Sequence, residues 1–340
     1  MDRRASGVLL VFLSAVGFGT LGIFGRVTVS AELSLPTLLL FRFVFAAAIV
    51  WALLRVRARK QGRKREREQE EGWGRKWDFG TGPRDGLGGR LLLAELGLGV
   101  VYGGMTIAFF ESLAWLSAGV ATLLLYTYPV LVAVVATGVL DESVTVPKAL
   151  ALGCTVSGVG LIAGLDGLAL SVFGVALVGL ASIGYATYAI GTRAMAGHVP
   201  PLVHSGYVLL GAAATIVPYG LLEGTLSLPA TGTAWGLIGG ITLVATVVPL
   251  LAFNEGLARI EASSASIVST AEPLTTVVLG TVLLGEVLTP SVLLGGAAIL
   301  LDVSLTTPLG RTLGRARSRP TDRSSPGTES ESETERPADT

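Results

Sequence analysis

The chain is poor in the residues that build most reactive sites. One cysteine, Cys154, stands in an apolar run, which excludes a disulfide framework and a thiolate metal centre. Two histidines, His198 and His204, are too few for an imidazole-based metal site, and no cofactor is expected. The sequence has no H-E-x-x-H, no Asp-rich metal motif and no G-x-S-x-G, so it offers no recognisable enzyme site. It also lacks a G-x-x-x-x-G-K-[ST] loop, which argues against nucleotide hydrolysis. Charge is scarce at 15% of residues, and Lys+Arg and Asp+Glu are both 25. That balance leaves no basic surplus for nucleic acid.

What is present is apolar. Of 340 residues, 51% are hydrophobic and 45 are glycine, a composition that points to an all-α polytopic membrane protein. Ten candidate spans can be read from hydropathy and helix breakers: 7–27, 35–54, 91–113, 117–140, 147–165, 172–193, 202–222, 233–256, 262–284 and 291–308. The first begins near the N-terminus but runs to Phe24 without a clear cleavage site, so it is read as a span and not a signal peptide. A charged loop, 55–90, separates the second and third spans, and its core RARKQGRKREREQEE suits either a short surface helix or a disordered segment. A low-complexity tail covers 309–340 and is expected to be disordered in the cytoplasm.

Basic residues set the orientation. With the N-terminus inside, 23 of the 25 Lys and Arg lie in cytoplasmic segments; only Arg26 lies outside and Arg42 within a span. Both termini are therefore expected on the cytoplasmic side of the cell membrane, with Asp166 and Glu223 outside.

The chain also repeats itself. A shift of 144 residues superposes Glu111 on Glu255, Ala118 on Ala262, Pro129 on Pro273 and Glu142 on Glu286. A shift of 167 superposes Gly7 on Gly174, Thr20 on Thr187 and Arg26 on Arg193. The reading is two five-helix units, 1–165 and 166–308. Five is odd, so the second unit enters the membrane upside down. Inverted repeats of this kind place a substrate between the halves, near the midplane.

The stretch Glu261–Glu286 carries the strongest functional signal. Glu272 stands near the middle of its span and costs about 2.5–3.5 kcal/mol to insert. Pro273 follows at once and frees the carbonyl of Ser269, four residues back. On a helical wheel Ala262, Ser266, Ser269, Glu272, Pro273, Thr276 and Gly280 share one arc, while Ile267, Ala271, Leu274 and Val278 lie opposite. Such a helix faces a polar interior with one side and lipid with the other. A carboxyl placed there can bind a proton on one side and release it on the other, or pair with a cationic substrate.

These features resemble the drug/metabolite transporter superfamily, specifically its two-repeat EamA type. The resemblance covers about 7–308 and rests on Phe41-Arg42-Phe43, Tyr128-Pro129-Val130, Glu272-Pro273 and the helix ends Asp141-Glu142 and Gly285-Glu286. It implies ten spans, a central cavity and carriage of small organic solutes, without naming the solute. The long 55–90 insert departs from the pattern.

Other candidates have two readings each. Arg42 is either an anion site or counter-ion to a carboxylate, or a clamp on backbone carbonyls of a broken helix, or snorkels outward. Tyr128 occupies the repeat position of Glu272, and either lines the cavity or bonds between helices. Glu142 and Glu286 follow helix C-termini, where an anion is disfavoured, and are expected to cap the next helix, at Thr145 or at Thr289-Pro290, or to gate. Glu111 and Glu255 share a repeat position at opposite faces. Asp302 is a further intramembrane acid, either a proton relay or a hydroxyl partner. Pro129 and Pro273 are candidate hinges, and Pro218 and Pro249 loosen their spans. Gly99-x-x-x-Gly103, Gly160-x-x-x-Gly164 and Gly236-x-x-x-Gly240 are read as packing motifs.

The leading expectation is a secondary transporter of small organic metabolites or drugs, with export coupled to a proton gradient. Uptake by the same fold is the alternative; a channel, a sensor or an intramembrane enzyme is less favoured. The implied partners are a small-molecule substrate, the bilayer and, as an option, a second copy in a homodimer.

Overall fold

The computed structural model describes residues 3–30, 33–70, 88–128, 131, 150, 153–154, 157–158, 161, 171–195, 198–257, 259–260, 268–269 and 271–306. All elements among these residues are helices: α1 (Arg3–Gly19), α2 (Leu21–Ser30), α3 (Leu35–Glu70), α4 (Gly89–Ser112), α5 (Ala118–Leu125), α6 (Val172–Met195), α7 (Pro201–Leu222), α8 (Gly232–Thr242), α9 (Val248–Leu257), α10 (Ala271–Leu284) and α11 (Pro290–Thr306). One π-helical turn, Leu243–Val247, joins α8 to α9.

Among the described residues, six stretches are long and apolar enough to cross a membrane: Arg4–Thr28, Leu35–Arg59, Gly89–Ser112, Val172–Thr192, Pro201–Leu222 and Gly232–Phe253. Ala271–Leu284 and Pro290–Leu301 are shorter apolar helices. Six of the ten expected spans coincide with the long stretches, and the two shorter helices overlap the ninth, 262–284, and the tenth, 291–308. The fourth is described only in its first part, by α5, and the fifth, 147–165, falls almost wholly outside the described residues.

Two local differences have clear causes. The first span is interrupted at Thr20, whose hydroxyl donates to the Gly17 carbonyl at 2.6 Å and tightens the turn between α1 and α2. The second does not stop at residue 54. α3 runs 36 residues to Glu70, about 54 Å at 1.5 Å per residue, well beyond a bilayer core of about 30 Å. Arg, Lys, Gln and Glu are good helix formers, and Arg63/Glu66 and Lys64/Glu68 have the spacing of helix-stabilising pairs. The first part of the charged insert is therefore helix; 71–87 lies outside the described residues.

The helices cross between the two halves of the chain. α4 packs on α6 and α7, α3 on α7, α1 on α9 and α10, and α5 on α10 and α6. Lipid supplies no hydrophobic drive between helices, so close backbone approach must do the work. A Cβ on Gly99 would lie 2.5 Å from the Val208 carbonyl, and one on Gly103 would lie 2.9 Å from Thr215. The Gly99/Gly103 pattern thus seats α4 on α7. Gly240 meets Phe24, but Gly236 faces open space, so that motif packs at one position only. Gly160 and Gly164 lie outside the described residues. Large apolar side chains such as Leu93, Leu180, Leu274 and Val282 face outward, as a lipid-facing surface requires.

Hydrogen bonds tie matching helix ends together. At one end Arg26 donates to the Leu113 carbonyl (2.7 Å), Ser34 to the Thr225 carbonyl (2.7 Å) and Tyr219 to Glu111. At the other, Gly7 abuts Ile260 and His204 meets Glu95.

Candidate functional site

The interior polar site is built on α10. In the described part of the wheel Pro273, Thr276 and Gly280 are buried and Ser269 and Glu272 half-buried, while Leu274 and Val278 are more than half exposed; Ala262, Ser266 and Ile267 lie outside the described residues. Thr276 donates to the Gly19 carbonyl at 2.8 Å, where the α1–α2 interruption leaves backbone available. A Cβ on Gly19 would lie 2.7 Å from the Glu272 carbonyl, so the broken first span holds α10 at backbone contact.

Pro273 has no N–H to offer the Ser269 carbonyl. The Tyr126 hydroxyl fills that role from just past the end of α5, 3.2 Å away. The same hydroxyl donates to Glu272 Oε2 at 2.9 Å. A phenol has one proton, so carbonyl and carboxylate compete for it. The carboxyl, the proline and the phenol form one unit across two helices from different halves. Tyr128, at the repeat position of Glu272, meets the Tyr185 ring at 4.2 Å and the Tyr126 ring at 6.0 Å.

Aromatic rings extend from this unit along α6. Tyr185 stacks near Tyr188 at 6.4 Å, Tyr188 on His204 at 6.2 Å, and Tyr102 tilts against Tyr188 at 5.0 Å. Ser182, Tyr185, Tyr188 and Thr192 are spaced three, three and four apart, which places them on one face of α6. Ser182 bonds the Leu125 carbonyl at 3.3 Å.

Arg42 is 1% exposed and does not pair with Glu272. Among the described residues its hydrogen bond goes from Nε to the Thr246 hydroxyl at 2.9 Å, with the Tyr102 side chain close by. The Phe43 and Phe110 rings lie 4.9 and 5.8 Å from its Cζ, in cation–π range. Thr246 belongs to the π-helical turn and donates to the Ile241 carbonyl, five residues back, at 2.9 Å. That turn sits just before Pro249, which removes the N–H that the Ala245 carbonyl would take in a regular helix. Among the described residues the guanidinium bonds neither a carboxylate nor a backbone carbonyl. A hydroxyl holds one edge of the guanidinium, and Nη1 has no hydrogen-bond partner among the described residues.

The repeat-motif acids separate. Glu286 accepts from the backbone N–H of Ala118 at 2.6 Å (Oε1) and of Gly119 at 3.1 Å (Oε2). It therefore caps α5, from the other half of the chain, and not the helix that follows it. Glu255 makes an exposed pair with Arg259 at 2.7 Å, and Glu111 receives the Tyr219 hydroxyl. Pro129 and Glu142 lie outside the described residues, as does the side chain of Asp302 in α11.

One cluster is absent from the sequence reading. Glu95 is fully buried and its Oε2 lies 2.5 Å from His204 Nδ1; His204 Nε2 lies 3.2 Å from the Thr192 hydroxyl. An acid seven residues into an apolar span was the available signal, the same one that singles out Glu272.

Six stretches among the described residues that are long and apolar enough to cross a membrane define a multi-pass helical membrane protein. The EamA-like transporter family model matches residues 5–164 and again 172–307, and the chain belongs to that family. It is 29% identical over 210 residues to an uncharacterized transporter of Archaeoglobus fulgidus, covering 61% of this chain and 74% of that one. A solved crystal structure matches in fold with a TM-score of 0.56 at 18% identity, over 91% of this chain and 99% of its own.

Proposed function

We propose that the chain is a proton-coupled secondary transporter of small organic solutes in the cell membrane, with Glu272 as its proton site and export as its direction. The observation that carries this is the Tyr126 hydroxyl shared between Glu272 and the Ser269 carbonyl. With Glu272 ionised, the phenol donates to the carboxylate. With Glu272 protonated, the phenol is free to donate to Ser269, and the carboxyl proton turns to the phenol oxygen. One proton thus switches the contact between two helices from opposite halves.

The wider architecture in this reading is ten spans in two inverted five-helix units, with both termini cytoplasmic. The crossing pattern supports it: α4 on α6 and α1 on α9 are the same contact made twice under the repeat, once from each half. Arg42, with an unpaired nitrogen, and the Tyr128–Tyr185–Tyr188 row are the proposed solute-facing groups, with Pro129 and Pro273 as hinges.

The test is uptake and counterflow of labelled metabolites from a library into proteoliposomes. Saturable exchange accelerated by solute on the far side is expected. A linear flux that no solute competes away would contradict a carrier.

A further inference from the structure

We propose that Glu95 and His204 form a second proton-binding site, apart from Glu272, at the end of the bundle where α4 and α7 begin and α6 ends. Both side chains are nearly or fully sealed from solvent, at 0% and 9% exposure. Glu95 Oε2 and His204 Nδ1 are 2.5 Å apart, and Glu95 Oε1 has no partner among the described residues. A carboxylate beside a neutral imidazole would leave one uncompensated charge buried between three helices. The pair becomes neutral on gaining one proton, held between Nδ1 and Oε2.

That proton has a route. Nε2 faces the Thr192 hydroxyl at 3.2 Å, which can donate or accept, and the Tyr188 side chain lies within reach of Thr192. Beyond it, the hydroxyl-bearing face of α6 leads back through Tyr185 toward Tyr128 and the Tyr126–Glu272 contact. The row from Ser182 to Thr192 covers about 15 Å of helix axis.

The surrounding groups allow the pair to act on its own. From α6 it meets Tyr188 and Thr192; from α4, Tyr102 lies against Tyr188. From α3, Trp51 meets Tyr207 at 5.1 Å and borders Gly206, two residues past His204. Arg55, Arg57 and Arg59 of α3 and Arg90 of α4 are exposed. The pair ties α4 to α7 and, through Thr192, to α6, so losing its proton would load negative charge into a three-helix contact. Its place in coupling rests on the reading of Glu272 as the transported proton's site; the binding of a proton by the pair does not.

The experiment uses the full chain carrying His198→Gln, which leaves His204 as the sole histidine, in lipid nanodiscs with ¹⁵N-labelled histidine. The imidazole resonances are followed by NMR over about pH 5 to 8, the range where histidine charge changes report on neighbours. A change between charged and neutral ring is expected there. Glu95→Gln is expected to abolish it or move it by roughly one pH unit or more. Should that variant not fold, Glu95→Asp, with its shorter reach to Nδ1, carries the same expectation. Ring signals constant across the range, or a transition that the Glu95 variants leave in place, would overturn the proposal. Glu272→Gln is expected to leave the His204 transition intact. Loss of pH-driven transport in Glu272→Gln without any His204 transition would keep the first proton site and discard the second.

Discussion

Glu286 caps Ala118 across the two halves of the chain: its Oε1 accepts the Ala118 N–H at 2.6 Å, and its Oε2 accepts that of Gly119 at 3.1 Å. Glu286 follows Gly285, whose φ of +68° turns the chain sharply after α10. At its own helix C-terminus the carboxylate is poorly placed; at the N-terminus of α5 it meets free N–H groups and the favourable end of the dipole. Glycine makes the approach feasible, since a Cβ on Gly280 would run into the Glu286 carboxylate.

Removing that cap should loosen the contact between α5 and α10. Glu286→Ala is expected to cost about 1–3 kcal/mol, read as a lower thermal midpoint in detergent. The 144-residue relation carries Glu286 to Glu142 and Ala118 to Ala262. Glu142→Ala should therefore cost a similar amount, read in the same way. A neutral Glu142→Ala would mean that the repeat is not kept at this point.

The α4–α7 seam should be intolerant of size. Gly99→Leu would drive a side chain into the Val208 carbonyl and the Gly211 backbone, for a loss of about 1–3 kcal/mol. Gly97→Leu, two residues away with nothing within 4 Å, is the control and should leave the melting temperature unchanged. Equal effects at both positions would show that helix propensity, not packing, is being measured.

The sequence carries some of this directly and some not at all. The wheel of α10 was legible because Leu274 and Val278 alternate with Pro273, Thr276 and Gly280 at helical period. That Pro273 offers no N–H to the Ser269 carbonyl follows from proline chemistry alone. Its partner Tyr126 does not, since which of two tyrosines faces Glu272 depends on how α5 is rotated. The Glu286 cap points along the chain to the neighbouring helix, because spacing says nothing about a helix start 168 residues away. The extension of α3 to Glu70 is not legible, because mixed charge suits an exposed helix and a disordered loop equally well. Glu95 and His204 were legible only as single residues; their pairing is a product of the fold.

Orientation has its own test. On a Cys154→Ser background, Gly62→Cys in the extension of α3 should react with an impermeant thiol reagent only after the membrane is opened, and Glu223→Cys should react from outside. External labelling at residue 62 would invert the assignment.

The central claim is that Glu272 carries the coupling proton, and Glu272→Gln tests it most directly. Glutamine keeps the shape and can still accept from Tyr126, but it cannot titrate. In proteoliposomes with an imposed pH gradient, the variant is expected to fold, to retain part of its solute exchange without a gradient, and to show no gradient-driven accumulation above empty liposomes. Accumulation at the wild-type rate in Glu272→Gln would contradict the account and place the coupling proton elsewhere.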